Sequence, residues 1–155
     1  ESTKIVIQFH IIAMFLPSLF TGRLIKKFGH SRIIYTGVLF FLLTIFSSYF
    51  ETTYINFLMA LTFLGIGWNF LFITSTSLLV ISYKEEEKFK AQGFNEIAVF
   101  SMQAIASLSA GFMLTLVGWE IMNILCVPLS FLVILMTLRA DISEKKSAQI
   151  IINKG

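Results

Sequence analysis

Residues 21–37 read TGRLIKKFGHSRIIYTG and hold four permanent positive charges, Arg23, Lys26, Lys27 and Arg32, with three glycines. On either side the chain is almost unbroken apolar sequence. A dense basic cluster in a short connection between two apolar runs has three readings: a ligand site, a membrane-surface anchor, or part of a larger machine.

The surroundings decide the solvent. Of 155 residues, 56% are hydrophobic, only 14% are charged and seventeen are Phe. A soluble domain is about a quarter charged, and small domains leave a large share of their surface exposed. This much apolar surface therefore has no place in a single core. The bulk solvent is the lipid bilayer, and the expected fold class is an all-α, polytopic membrane protein. A hydrocarbon core about 30 Å thick takes roughly 20 apolar residues in a helix. Five stretches meet that test, at about 5–22, 33–50, 54–83, 93–117 and 119–139. No strand alternation recurs, which argues against a β-barrel. Residues 1–140 thus read as transmembrane helices. Residues 141–155 read as a cytoplasmic tail, open between an interfacial helix and a disordered segment. The chain begins with Glu1 and lacks a signal-peptide pattern, so it reads as a piece of a longer protein.

The charges orient these spans. If the five alternate, eleven of the twelve Lys and Arg fall on one side and only Lys4 on the other. The positive-inside rule then puts the N-terminus of this fragment outside and the tail in the cytoplasm. Trp119, Tyr49 and Tyr54 sit at the expected outer boundary, where amphipathic rings are favoured.

Several function classes drop out. The net charge of +3 is clustered and forms no solvated stripe of the kind that binds nucleic acid. A single cysteine, Cys126, excludes a disulfide framework and a Cys-based zinc site. No cofactor or metal is expected. The only histidines are His10 and His30, Ser18 lies eight residues from His10, and neither G-x-S-x-G nor H-E-x-x-H occurs. The chain is not expected to be an enzyme.

What the spans do carry is polar and small residues at helical spacing. Glu96, Gln103, Ser107 and Gly111 are spaced seven, four and four, which puts them on one stripe. The third span has Gly65, Gly67, Trp68 and Asn69 near its middle, and the first has Gln8, His10 and Pro17. Small residues let helices approach, and polar ones hydrogen-bond between them. Polar groups at membrane depth also line pathways. Gln8, His10, Trp68, Asn69, Gln103 and Ser107 are the candidates for a substrate path. Glu96 lies in the expected first turns of the fourth helix, where the helix dipole favours a carboxylate.

The opening stretch now acquires a family. Residues 22–32, GRLIKKFGHSR, resemble the loop signature of the major facilitator superfamily, G-x-L-x-D-(R/K)-x-G-(R/K)-(R/K). Gly22, Leu24, Lys27 and Gly29 match in register, with Arg23 and Arg32 in the same cluster. Lys26 replaces the family's Asp, and His30 and Ser31 replace the basic pair. MFLPSLFTGRLIKKFG (14–29), LGIGWNFLFITSTSLL (64–79) and KAQGFNEIAVF (90–100) look like segments of bacterial facilitator-type permeases. The resemblance spans about 5–140.

The resemblance implies secondary transport of a small solute by alternating access in the inner membrane. Its candidate drives are a proton gradient or the solute's own gradient. No nucleotide-binding P-loop is present. It also implies which half this is. The Arg that the family's N-terminal half carries four residues before a helix-four Gly is Leu61 here. The fifth-helix Gly-Pro pair of many antiporters is absent, and the signature acid is lost. These departures favour the C-terminal half, family helices eight to twelve, with the missing N-terminal half as partner. By family analogy, Glu96 at the start of helix eleven would face that half at a cytoplasmic gate. The alternative is a non-transporting accessory or sensor protein with the same fold.

Overall fold

The computed structural model describes residues 2–50 and 53–152, with side chains for 4–50 and 53–141. Among these the chain is helical throughout: α1 (Ser2–Phe15), α2 (Ser18–Phe28), α3 (His30–Ser47), α4 (Tyr54–Ser82), a 3₁₀ turn (Glu85–Glu87) and α5 (Lys88–Ile152). Four stretches are long and apolar enough to cross a membrane: Lys4–Phe28, His30–Ser47, Tyr54–Ser82 and Glu85–Asp141.

The last of these is 57 residues long, close to twice what one crossing needs. It folds back at Gly118, whose φ of 76° and ψ of 171° leave the helical region. A side chain at that φ would be strained, and glycine is not. The reversal shows in what each part of α5 touches. Gln92 Nε2 donates to Tyr83 Oη at 2.6 Å, just past the end of α4. The Trp119 ring lies 6.5 Å from Phe57 at the opposite end of α4. Asp141 is back at the first end, accepting hydrogen bonds from Ser31 and Tyr35 near the start of α3. Residues 88–117 and 119–152 are therefore two antiparallel arms, so among the described residues the four apolar stretches give five helical runs.

α4 is the central element, with α3 and α1 packed along it. Its 29 residues span about 43 Å at 1.5 Å each, enough to cross the hydrocarbon core and protrude. Two glycines allow its neighbours close. A Cβ on Gly65 would sit 2.8 Å from the His10 carbonyl oxygen and 2.9 Å from Ala13 Cβ. One on Gly67 would meet Phe41 Cδ1 at 2.6 Å and the Gly37 carbonyl at 2.9 Å. Such small-residue crossings let helices pack where no hydrophobic drive distinguishes protein from lipid. The outer faces are apolar, with Phe89 and Leu108 each 85% exposed.

The basic connection differs from expectation. A loop over about 23–32 was expected, but α2 runs on through Phe28 and α3 begins at His30. Gly29 alone makes the turn, with φ 85° and ψ 161°, and its N–H donates to the Ile25 carbonyl at 2.8 Å. Gly22 is an ordinary helical residue, because positive φ is confined to Gly29 and Gly118 among the described residues. Arg, Lys, Leu and Ile sustain a helix well enough to carry it to the first residue that can turn it. Arg23, Lys26, Lys27 and Arg32 are exposed, Leu24 is half-buried, and Lys27 Nζ rests 5.2 Å above the Phe28 ring.

Pro17 breaks the first apolar stretch into α1 and α2, as a residue without an N–H does inside a helix. The break is mended by side chains. Ser18 Oγ donates to the Phe15 carbonyl at 2.6 Å, and Asn69 Nδ2 donates to the Met14 carbonyl at 2.7 Å. The Thr21 hydroxyl shares its proton between the Pro17 carbonyl at 2.8 Å and Asn69 Oδ1 at 2.7 Å. Pro128 leaves its own arm helical. The tail expected at 141–155 continues as helix to Ile152, and its side chains beyond Asp141, with residues 51 and 52, lie outside the described residues.

Candidate functional site

A cavity of about 850 Å³ opens between α1, α4 and the first arm of α5. Trp68 and Phe72, one turn apart on α4, stack with ring centroids 5.5 Å apart and planes at 13°, giving it an aromatic wall. Phe41 of α3 adds a third ring. The polar groups are few: His10 from α1, Ser75 from α4 and Gln103 from α5. This composition, apolar walls with a few polar groups, is that of a small-molecule site.

His10 is held in place. Its Nδ1 lies 2.7 Å from the Leu61 carbonyl oxygen. A carbonyl only accepts, so Nδ1 carries the proton, and in the neutral ring Nε2 is an acceptor. Trp68 is fixed by its stack on Phe72. Gln103 projects from the first arm of α5 beside Val99, Met102 and Ala106.

Three of the six path candidates thus meet at one cavity: His10, Trp68 and Gln103. The others stand elsewhere. Gln8 is exposed and outside the cavity lining, because two residues along a helix turn the side chain by about 200°. Ser107 lies one turn beyond Gln103 and is exposed outside the lining. Asn69, 3% exposed, points away to the Pro17 break. Glu96 is exposed on α5, eight residues past its start at Lys88. It is therefore beyond the first turn, where the dipole acts, and the expected place in the first turns of its helix does not hold.

A second cavity, of about 910 Å³, lies at the basic end. His30, Ser31, Arg32 and Tyr35 face Thr137 and Asp141 across it. His30 Nε2 is 3.1 Å from Ser77 Oγ, and Asp141 joins Ser31 and Tyr35. Sequence reasoning missed Asp141 because it was counted as the first residue of a polar tail. Its one signal was an acid directly after the last apolar run. Phe41 and Phe72 were hidden among seventeen Phe. Among the described residues no group of His, Cys, Asp or Glu could hold a metal ion.

The family profile described as Major Facilitator Superfamily matches residues 4–151. The chain belongs to the major facilitator superfamily. Members of this family are transporters, and this one is an integral membrane protein by its helices. It is 41% identical to the riboflavin transporter RfnT of Brucella anthropi over 128 residues, covering 83% of this chain and 32% of RfnT. Two Bacillus subtilis MFS-type transporters are also similar. YdeG is 32% identical over 80% of this chain and 31% of its own length, and YddS is 31% identical over 84% and 30%. The chain therefore spans about a third of the length of these relatives. No solved structure matches it.

Proposed function

We propose that this chain is part of the C-terminal half of a secondary transporter that moves riboflavin, or a similar planar heteroaromatic solute, across the membrane by alternating access. One observation carries the reading. The cavity joins a stacked aromatic wall, Trp68 on Phe72, to the polar side chains of His10 and Gln103, and a flat ring system with polar edges complements both. The 41% identity to RfnT supports the same solute class. In such folds the site lies between two six-helix halves that rock about it, so the N-terminal half would supply the facing wall.

The loss of the signature acid at Lys26 supports a second-copy, C-terminal position. The charge asymmetry supports a cytoplasmic location for Gly29, Arg32 and Asp141. Exposed Glu96, on the arm lining the cavity, then faces the other half near the cytoplasmic mouth.

Growth of a riboflavin-auxotrophic bacterium lacking its own uptake tests this. Expression of the full-length protein is expected to restore growth at low external riboflavin. Failure to do so, with the protein present in the membrane, would overturn the substrate assignment.

A further inference from the structure

The bond from His10 to Leu61 determines what the cavity offers a ligand. With Nδ1 committed as donor to the Leu61 carbonyl at 2.7 Å, the neutral ring's Nε2 is left as an acceptor without a donor. No partner for Nε2 occurs among the described residues, and His10 is half-buried against the cavity. Across the cavity, the Gln103 amide offers both a donor and an acceptor. Trp68 on α4 provides a face on which a ring can lie between these two helices.

An acceptor fixed in this way discriminates by chemistry. A ligand hydroxyl can donate or accept and so fits either polarity. A ring N–H only donates, and a ring nitrogen carrying a methyl group does neither. A site with a fixed acceptor therefore separates a ring N–H from its N-methyl analogue sharply, because methylation leaves that acceptor, covered by the bound ligand, unpaired.

We infer that His10 is a specificity-determining residue whose Nε2 accepts a hydrogen bond from the ring N–H of a planar lactam or imide, while Gln103 pairs with the adjacent carbonyl. This rests on the substrate class proposed above. In oxidised riboflavin the ring system has one such group, the imide N3–H flanked by two carbonyls. His10 thus reads the edge of the ring, and Trp68 reads its face.

The test uses the full-length protein in detergent and compares riboflavin with 3-methylriboflavin by quenching of flavin fluorescence. The native protein is expected to bind riboflavin about tenfold more tightly, the usual consequence of one lost hydrogen bond to a buried group. His10→Asn is the diagnostic variant. Its Nδ2 can replace Nδ1 at Leu61 and keep α1 on α4, but its side chain ends short of the Nε2 position. This variant should keep its thermal midpoint, lose about tenfold for riboflavin, and bind the methylated analogue as before. Equal affinity of the native protein for both flavins would overturn the inference while leaving the substrate reading intact. So would undiminished discrimination in His10→Asn. Binding of neither flavin would overturn both.

Discussion

Asn69 Nδ2 donates to the Met14 carbonyl across 2.7 Å, and that bond closes the break that Pro17 opens in the first membrane passage. Its Oδ1 accepts from Thr21, so one amide ties α4 to both sides of the kink. A buried amide with both ends satisfied does not need a ligand to justify its place in the membrane.

Removing the amide should cost stability rather than specificity. Asn69→Leu leaves the Met14 carbonyl and the Thr21 hydroxyl without that partner, a loss of about 1–3 kcal/mol. Thermal unfolding in detergent is expected to show it, with the riboflavin-binding constant unchanged in the fraction that remains folded. If Pro17→Ala is made first, the penalty should shrink, because a continuous helix satisfies the Met14 carbonyl by itself.

The glycines divide into those that need to be glycine and those that do not. Gly67→Ala would place Cβ 2.6 Å from Phe41 Cδ1 and 2.9 Å from the Gly37 carbonyl, and overpacking of this kind costs about 1–3 kcal/mol. Gly22→Ala meets nothing within 4 Å inside a helix and should be neutral or stabilising by about 0.5–1 kcal/mol. Gly29→Ala has equal room but a φ of 85° and a ψ of 161°, a region open almost only to glycine, so it should destabilise by roughly 1–3 kcal/mol. Unfolding midpoints of the three variants, with Gly22→Ala at or above native and the other two below it, check this.

At the basic end, Asp141 brings the last arm to the start of α3 through Ser31 and Tyr35. The signature stretch has Lys26 where an acid belongs in the family pattern, and an acid from 115 positions further along the chain reaches its far end instead. A double-mutant cycle between Asp141→Ala and Ser31→Ala should give a coupling of about 1 kcal/mol, the scale for a half-exposed hydrogen bond to a charged acceptor. A coupling near zero would mean the contact contributes nothing to holding the arm.

The broad fold was legible because lipid leaves so few options: apolar length gives the passages, and charge gives their sides. The turn chemistry was less so. The helix-forming Arg, Lys, Leu and Ile of 23–27 favour a helix end over a loop, but two glycines flank them, and only the φ of Gly29 settles where the chain bends. The site was half legible. His10, Trp68 and Gln103 carried a signal, being polar or amphipathic within apolar spans. Asn69 carried the same signal for a different reason, since its partner is a backbone carbonyl freed by Pro17, fifty-two residues earlier in the chain. Helical spacing alone also kept Ser107 on the Gln103 stripe, although the cavity lining stops at Ala106, the residue before it. Asp141 needed the third dimension altogether.

Glu96 offers a separate test of the gate. A cysteine at position 96 is expected to cross-link to one in the N-terminal half's own signature loop when the transporter is closed to the cytoplasm, and Glu96→Gln is expected to slow transport several-fold. Normal transport by Glu96→Gln, with no cross-link in any state, would remove Glu96 from the mechanism.

The central claim is that the Trp68–His10–Gln103 cavity forms part of a flavin path, and flavin uptake into proteoliposomes by the full-length protein tests it most directly. Native protein should accumulate riboflavin, while Trp68→Ala and Gln103→Ala should each lower the initial rate about tenfold or more with the protein still folded. Absence of riboflavin uptake by the native protein, or uptake unchanged in both variants, would contradict the account.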